Sequence, residues 1–335
     1  MKILKKLFIM LLIVKFLFIL TGCKKDRYSI VLSEVTHSVF YAPQYVALAK
    51  GYFEEEGLKI TLINSNGADK VMSALLSKKA DIGLMGPEAS IYVYNQGRKN
   101  YVINFIQLTQ RDGSFLVGRE KIENFTFDML KGKSILGGRK GGVPVMTLQY
   151  VLRQKGLDAV LDDPTKEVNI RTDVQYGVLA GAFVSGEGDF VTLFEPGATN
   201  LEKEGKGYVL ASIGAESGNI PYTAYSATKS YIEKNPDIIQ KFTNAIYKGQ
   251  KWVQEHSARE IAELIHPYFK ETPIEDLTIV MQRYKDIDAW CPTPFFAKEG
   301  LERLMDIMEQ AGELTKRAPF EKIVDNSFAN KAMQN

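Results

Sequence analysis

Cysteine, histidine and tryptophan are scarce in this chain of 335 residues, which contains two, three and two of them respectively. The two cysteines, Cys23 and Cys291, can form at most one disulfide, so a fold held together by several disulfides is excluded. The three histidines, His37, His256 and His266, do not show the H-E-x-x-H spacing of a helical zinc site. We therefore predict a fold that depends on its own hydrophobic core and holds no metal.

The usual signatures of nucleotide binding and covalent catalysis are also missing. Residues 132–134 (GKS) resemble the end of a phosphate-binding loop, but the first glycine of that motif would fall on Phe127. Residues 137–142 (GGRKGG) are rich in glycine but lack the G-x-G-x-x-G spacing of a dinucleotide site. There is no G-x-S-x-G motif, and Cys291 has no histidine near it in the sequence. We predict neither a cofactor nor a catalytic residue.

Basic and acidic residues are nearly balanced: 42 basic and 40 acidic residues give a net charge of +2. This balance gives no indication of nucleic acid binding. Four of the lysines lie in the first 22 residues, and without that segment the net charge becomes −2. The remaining chain has ordinary globular composition, is slightly acidic, and is long enough for two domains.

One apolar run stands out, at the amino end of the chain. Lysines precede an apolar stretch from Leu7 to Leu20, interrupted by Lys15, and this pattern predicts an export signal over residues 1–22. The stretch ends in residues 20–23 (LTGC), which resemble a bacterial lipobox that would place lipid on Cys23, followed by a tether over 23–27. The alternative is an ordinary membrane anchor with a cysteine there by chance. We expect a protein anchored by lipid at the cell membrane, on the extracytoplasmic face.

Apolar strands alternate with helical patterns through the first two thirds of the chain. The first such strands are predicted at residues 28–33, 58–63, 81–85 and 102–108, and a second series runs from residue 133 to residue 212. This alternation predicts α/β layers with mainly parallel sheets. Beyond Lys229 the pattern is almost wholly helical. That tail could be a separate domain or could pack onto the first part of the chain; we favour packing, because no Gly, Ser or Pro-rich linker precedes it.

Several motifs in a fixed order resemble a known family. They are residues 40–53 (FYAPQYVALAKGYF), 80–83 (ADIG), 130–133 (LKGK), Glu195-Pro196 and Asn235-Pro236. In order and spacing they resemble the ABC-transporter substrate-binding proteins of the nitrate, sulfonate, taurine and thiamine-pyrimidine branch. The resemblance covers nearly the whole chain from Tyr28.

The resemblance implies a two-lobed fold of the periplasmic-binding-protein type II class. Lobe one would comprise residues 28–112 and 222–335 and lobe two residues 113–221, joined by two crossover strands, with the C-terminal helices on lobe one. It also implies an extracytoplasmic solute-binding component of an ABC importer. Such a protein would work as a monomer, capture a small polar molecule between its lobes and deliver it to a permease and its ATPase.

The same resemblance places the ligand at the carboxyl ends of the strands, where helix N-termini favour polar or anionic groups. Alternatives stay open: His37 could be a solvated loop residue, Tyr41 a core residue, Glu88 a helix cap, and Arg111 an ion-pair partner of Asp112. The candidate ligand-binding residues are His37, Tyr41, Glu88, Arg111, Lys140, Gly141, Gly142, Val143 and Glu195.

The ligand itself is left open between two classes. A carboxylate at Glu195 suits an amino-bearing heterocycle such as an aminopyrimidine, whereas Arg111, Lys140 and the helix N-termini suit a sulfonate or carboxylate. Two other functions also remain. One is an enzyme like the pyrimidine synthases of thiamine biosynthesis, which carry a cysteine-rich run that this chain lacks. The other is a structural or adhesive lipoprotein.

Overall fold

A computed structural model describes residues 28–334 of the chain, so the predicted export signal, Cys23 and the tether lie outside the described residues. Two β-sheets with helices packed around them form two lobes. The strands are β1 Tyr28–Glu34, β2 Leu58–Asn64, β3 Ile82–Met85, β4 Val102–Thr109, β5 Ser114–Gly118, β6 Lys133–Leu136, β7 Ala159–Leu161, β8 Val168–Arg171, β9 Phe190–Phe194, β10 Tyr208–Ser212 and β11 Thr223–Thr228.

The sheet of lobe one has the strand order β2-β1-β3-β11-β4, and the sheet of lobe two has the order β10-β5-β9-β6-β8-β7. The two-lobed α/β fold is therefore confirmed. Helices cover both sheets. They are α1 Ala42–Ala49, α2 Tyr52–Glu55, α3 Ala68–Leu76, α4 Glu88–Asn95, α5 Val143–Gln154, α6 Leu179–Val184, α7 Gly197–Lys203, α8 Ile213–Ser217, α9 Lys229–Lys234, α10 Pro236–Glu255, α11 Ala258–Ile265, α12 Ile274–Asp286, α13 Lys298–Gln310, α14 Phe320–Ile323 and α15 Ser327–Met333.

The two sheets are mixed, because each contains strands that come directly from a crossover. In lobe one, β1 pairs in parallel with β2 and β3, whereas β11 is antiparallel to β3 and β4. In lobe two, β6 is parallel to β8 and β9, whereas β5 is antiparallel to β9 and β10. A strand that enters a lobe from the opposite side has no helical connection to reverse its direction, so it runs against its neighbours.

The helical tail packs mainly on lobe one, as predicted from the missing linker. Helix α10 begins with Pro236 at its first turn and buries Ile239, Phe242 and Ile246. It lies against α1 so closely that a Cβ on Gly249 would overlap the carbonyl oxygen of Pro43. The next helix, α11, begins after Ser257, which forms a capping box with Glu260.

The tail also reaches lobe two. Helix α12 packs against α7, and α13 packs against α5, where Arg153 Nη1 donates a hydrogen bond of 2.6 Å to the carbonyl oxygen of Gln310. The C-terminal helices thus belong to the core of lobe one while touching the other side of the cleft. Over residues 28–334, no helix combines the length and the apolar character needed to span a bilayer.

Candidate functional site

Segments that follow the carboxyl ends of parallel strands converge between the lobes. In lobe one, β1 is followed by the loop to Tyr41 and β3 by the loop to Glu88; in lobe two, β6 is followed by residues 137–142. Two crossover segments, residues 110–113 and 219–222, run side by side between the lobes. The amide of Ile220 donates to the carbonyl oxygen of residue 110 at 2.9 Å, which holds the two segments together.

Asp112 lies on the first crossover segment and is fully buried. Its Oδ1 accepts a hydrogen bond of 2.7 Å from the amide of Ser114, whereas its Oδ2 has no partner within the described residues. Burial raises the pKa of this carboxyl group to about 7. Helix α8 fits tightly over the same segment, because a Cβ on Gly214 would overlap the carbonyl oxygen of Asp112.

Tyr222 lies on the second crossover segment and is also buried, and its hydroxyl group faces the Asp112 carboxyl group without forming a well-aligned hydrogen bond among residues 28–334. Burial and then the charge of Asp112 raise the pKa of Tyr222 well above its usual value. Tyr176 approaches from lobe two. It keeps 43% of its surface exposed, yet burial of its hydroxyl end, and then Tyr41 and Asp112, raise its pKa as well. The Asp112 carboxyl group therefore lies near enough to Tyr222, on the second crossover, and to Tyr176, in lobe two, for its charge to affect both.

Glu88 is the first residue of α4 and is 5% exposed. Its side chain folds back over Gly86, where a Cβ would collide with the carboxylate, and its Oε2 is without a partner in the described part of the chain. Burial raises the pKa of Glu88 to about 7, while the amides of Glu88 and Ala89 lower it. Burial, then Glu34 and Glu88, raise the pKa of Tyr41, which is itself buried.

Arg111 is partly buried and projects from the first crossover segment. Its Nε is buried without a hydrogen-bond partner among the described residues. The ion pair with Asp112 that the sequence left open is not formed, because Asp112 Oδ2 is itself without a partner. Arg111 therefore remains a candidate for an acidic ligand group.

An aromatic cluster lines the region between the lobes: Phe40, Tyr41, Tyr176, Phe194, Tyr222 and Tyr284. The Phe40 ring lies 5.6 Å from Phe194 and 5.9 Å from Tyr222, and Phe194 lies 5.7 Å from Tyr176, measured between ring centroids. Phe194 and Tyr176 come from lobe two, so rings of both lobes meet. Such rings offer flat apolar walls to a planar ligand.

Glu195 does not point a free carboxylate at a ligand. Its Oε1 pairs with Arg283 Nη1 at 2.6 Å, and its Oε2 accepts a hydrogen bond of 2.9 Å from the amide of Thr199. Its own amide donates to the hydroxyl of Tyr284 at 3.2 Å. The carboxylate expected to contact ligand therefore caps α7 and pairs with the C-terminal helix α12.

His37 is engaged within lobe one. Its Nδ1 lies 3.2 Å from Glu34 Oε1 and 2.8 Å from the hydroxyl of Tyr45, and its Nε2 lies 2.9 Å from the carbonyl oxygen of Tyr268. The ring stacks on Phe269 at 4.6 Å. Hydrogen bonding to Glu34 raises the pKa of His37. Both ring nitrogens thus have protein partners.

The glycine-rich residues 137–142 lie at the edge of the cleft and touch lobe one. The carbonyl oxygen of Gly141 accepts a hydrogen bond of 3.3 Å from the hydroxyl of Tyr92. Gly142 precedes α5 without a side-chain cap, Val143 is buried as the first residue of α5, and Lys140 is exposed. These residues flank the aromatic cluster, since a Cβ on Gly138 would lie 3.5 Å from the Tyr176 ring.

The sequence reasoning missed Asp112, Tyr222 and Tyr176. The segment Gln110-Arg111-Asp112 was expected at the first crossover, but Asp112 itself was considered as an ion-pair partner of Arg111, and residue 222 was named only as the start of the second part of lobe one. A usable signal existed, because both residues lie at the predicted lobe boundaries, where two crossover strands must approach each other. Within residues 28–334, no group of three or more acidic, histidine or cysteine side chains could hold a metal ion.

The chain is similar to several known proteins. The family model described as NMT1/THI5 like matches residues 39–260. YtlA of Bacillus subtilis (strain 168), named as a binding protein, is 45% identical over 317 residues, which are 94% of this chain and 93% of that protein. A 4-amino-5-hydroxymethyl-2-methylpyrimidine phosphate synthase of Aspergillus parasiticus is 28% identical over 235 residues, 68% of this chain and 66% of the synthase.

Among solved structures, the ligand binding component of an ABC-type import system from Staphylococcus aureus has a similar fold. The two superpose with a TM-score of 0.70 at 14% identity, covering 92% of this chain and all of that one. The sequence match over residues 39–260 includes β5 to β10 and both crossover segments, which are the elements that build the cleft. The chain therefore belongs to the NMT1/THI5-like family.

Proposed function

We propose that this protein is the extracytoplasmic solute-binding component of an ABC importer, which captures a small polar molecule between its lobes and delivers it to a permease. One observation carries the proposal. Of nine buried polar side-chain atoms without a partner in residues 28–334, five belong to the crossover segments, to Ser114 directly after the first of them, or to the start of α4. They are on Glu88, Arg111, Asp112, Ser114 and Tyr222.

Buried polar groups are almost always hydrogen-bonded, because leaving one unpaired costs about 1 to 3 kcal/mol. A concentration of such groups between two lobes is what a site for a polar ligand requires before the ligand is bound. The binding-protein relative and the similar import component support the same function.

The ligand class follows from which of these groups it contacts. For an amino-bearing ligand, the sequence analysis expected the carboxylate of Glu195. We now expect the carboxylates of Asp112 and Glu88 to bind it instead. Arg111 and the start of α5 remain the candidates for a sulfonate or carboxylate. Both classes can be offered to the same purified protein.

An enzyme on this fold is the second candidate, because the Aspergillus relative is a synthase. Cys291 is a poor candidate for a catalytic nucleophile, because its thiol is buried. Burial raises the pKa of the thiol and so disfavours the reactive thiolate. The two functions differ in what happens to the small molecule. A binding component releases it unchanged, whereas an enzyme releases a product of different mass.

Native mass spectrometry of the purified protein tests the proposal. We expect a single small molecule bound to each chain, which is lost on denaturation and recovered with its original mass after rebinding and release. Release of a chemically altered molecule would favour the enzyme. If neither carried molecules nor any offered aminopyrimidine or sulfonate binds, the proposed function is contradicted.

The predicted lipid anchor is part of this proposal, because an importer component must stay near its permease. We expect Cys23→Ala to abolish acyl labelling and to move the protein from the membrane fraction to the soluble extracytoplasmic fraction. Cys291→Ala is the matched control and should leave both unchanged. Labelling that persists in Cys23→Ala would rule out an anchor at this residue.

A further inference from the structure

We propose that His37 carries both ring protons and, as an imidazolium, clamps the turn that forms one wall of the cleft to the C-terminal tail. His37 is then a pH-sensitive switch, because loss of one proton releases the clamp. The proposal rests on the proposed function only in so far as this wall belongs to the solute site, and it holds for either ligand class. The sequence placed His37 among the candidates for ligand contact instead.

The hydrogen-bond partners of His37 require two protons on its ring. Nε2 lies 2.9 Å from the carbonyl oxygen of Tyr268, which can only accept, so this nitrogen carries a proton. Nδ1 lies 2.8 Å from the hydroxyl oxygen of Tyr45 and 3.2 Å from Glu34 Oε1. The single proton of the Tyr45 hydroxyl is donated to Glu34 Oε2 at 2.7 Å, so these contacts need a further proton. An imidazole is a stronger base than a carboxylate, and Nδ1 therefore carries it.

Glu34 supplies the counter-charge of this imidazolium. It ends β1 and is 1% exposed, and a buried carboxylate is costly unless an opposite charge and hydrogen bonds compensate it. Hydrogen bonding to Glu34, the carbonyl group of Tyr268 and the charge of Glu271 raise the pKa of His37, whereas partial burial lowers it. Burial and Glu34 raise the pKa of Tyr45 well above its usual value, so its hydroxyl stays neutral. The acidic groups that face the ring, from β1 and from the tail, both favour its protonated form.

His37 directly precedes the turn that forms the cleft wall. The side-chain oxygen of Ser38 accepts a hydrogen bond of 3.2 Å from the amide of Phe40, and its carbonyl oxygen accepts one of 3.0 Å from the amide of Tyr41. Phe40 and Tyr41 belong to the aromatic cluster between the lobes. The carbonyl oxygen of Phe40 accepts a hydrogen bond of 2.8 Å from Trp290 Nε1, so this indole N–H reports on the position of the wall.

The tail segment between α11 and α12 forms the other half of the clamp. The His37 ring stacks on Phe269 at 4.6 Å between centroids, in addition to its bond to Tyr268. A neutral ring has only one N–H, so either the Tyr268 carbonyl oxygen or the Glu34 carboxylate would face a nitrogen lone pair. That contact is repulsive and leaves an acceptor without its donor. Deprotonation should therefore break one side of the clamp and loosen the turn that carries Phe40.

Nuclear magnetic resonance of the protein with ¹⁵N-labelled histidine tests the protonation state. The ¹⁵N signals distinguish ring nitrogens with and without a proton, and those of His37 are assigned by their absence in His37→Gln. At about pH 6.5, where an ordinary histidine is half protonated, we expect His37 mainly in the doubly protonated form. A His37 ring that is at least half neutral at this pH would overturn the proposal.

The indole N–H signals test the coupling to the wall. The chain has two tryptophans, Trp252 and Trp290, so only two such signals have to be separated. We expect the Trp290 signal to shift with pH at the midpoint of the His37 ring, and to lose this transition in His37→Gln, which keeps a donor but does not titrate. His256→Gln is the matched control, because it removes another histidine that bonds a backbone carbonyl group, that of Trp252, and the Trp290 transition should persist.

A Trp290 signal without a transition at the His37 midpoint in the wild-type protein would overturn the switch, whatever the folding of the variants. An unchanged transition in natively folded His37→Gln would overturn it as well. Circular dichroism establishes the folding of both variants. None of these measurements needs a solute, so failure of the switch leaves the proposed function intact, and failure of the native mass spectrometry experiment leaves the switch intact.

Discussion

At the scale of single residues, the cleft contains two buried acids that form no ion pair within the described residues. Asp112 and Glu88 are buried and each leaves one carboxylate oxygen without a partner in the described residues. Burial raises the pKa of both groups to about 7, so that near neutral pH each is part protonated before ligand binds. A ligand that donates a hydrogen bond would shift this balance towards the charged carboxylate.

The raised pKa of Asp112 predicts how stability depends on pH in the ligand-free protein. In the unfolded chain this group titrates near pH 4 and in the folded protein at about 7, so the folded state binds more protons between these values. Its contribution to stability is therefore present below about pH 4 and is lost as the pH rises through about 7. Denaturant unfolding at pH 5 and pH 8 measures the difference.

We expect Asp112→Asn to reduce the gain in unfolding free energy between pH 8 and pH 5 by roughly 2 kcal/mol relative to wild type. The exposed Glu302→Gln provides the control for removal of a carboxylate and should leave the gain unchanged. An equal pH response in wild type and Asp112→Asn would show that the buried carboxyl group does not titrate as described.

The sequence indicates which residues follow strands, but it does not indicate the distant partners to which some of these residues bond. Glu88 and Arg111 were selected because they follow strands, and the structure leaves an atom of each without a partner within residues 28–334. Glu195 was selected for the same reason, but its carboxylate accepts a hydrogen bond from Arg283, which lies 88 positions later in the sequence. His37 is likewise bonded to the carbonyl oxygen of Tyr268, 231 positions away. No local pattern reveals such partners.

At the scale of elements, helix α12 connects the C-terminal tail to lobe two. Arg283 pairs with Glu195 at 2.6 Å and also with Glu202, and Asp276 pairs with Lys203 at 2.6 Å. Glu195 is fully buried as a side chain, while Arg283 keeps 25% of its side chain exposed. The tail therefore packs on lobe one and holds α7 of lobe two by ion pairs.

Removing Arg283 should be costly, because Glu195 would remain buried without its counter-charge. We expect Arg283→Ala to lower the unfolding free energy by about 3 kcal/mol in denaturant unfolding. The exposed pair of Arg259 and Glu263, at 2.6 Å, supplies the control: Arg259→Ala should cost less than about 1 kcal/mol. Equal losses in the two variants would mean that the connection through α12 contributes no more than a surface ion pair.

Element prediction from sequence was most accurate for long periodic segments. The helical pattern predicted beyond Lys229 is confirmed by the long helices Pro236–Glu255 and Lys298–Gln310. The three-residue strand Ala159–Leu161 was missed, because so short an edge strand has no detectable alternation. The direction of each strand could not be predicted from the sequence pattern either. Strand Thr223–Thr228 is antiparallel to its neighbours because it enters lobe one through a crossover segment.

At the scale of the whole molecule, two lobes meet along a polar and aromatic face and are connected by only two crossover segments. Beyond these connections, the lobes touch through the ion pairs of α12 with lobe two, through the rings of Phe40 and Phe194, and at the cleft edge through Tyr92 to Gly141 at 3.3 Å and the exposed pair of Asp69 with Arg139 at 2.6 Å. Exposed pairs of this kind contribute little stability. We infer that the lobes open when the cleft is empty and close by a hinge when ligand fills it.

Small-angle scattering of the soluble protein, with and without its bound small molecule, tests this account most directly. Residues 24–335 would be used, and the ligand would be the molecule identified by native mass spectrometry. We predict a larger radius of gyration without ligand, and a decrease on saturation to the value calculated from the structure described here. Asp112→Asn should require a higher ligand concentration for the same decrease. An identical radius of gyration with and without saturating ligand would contradict capture by closure of the two lobes.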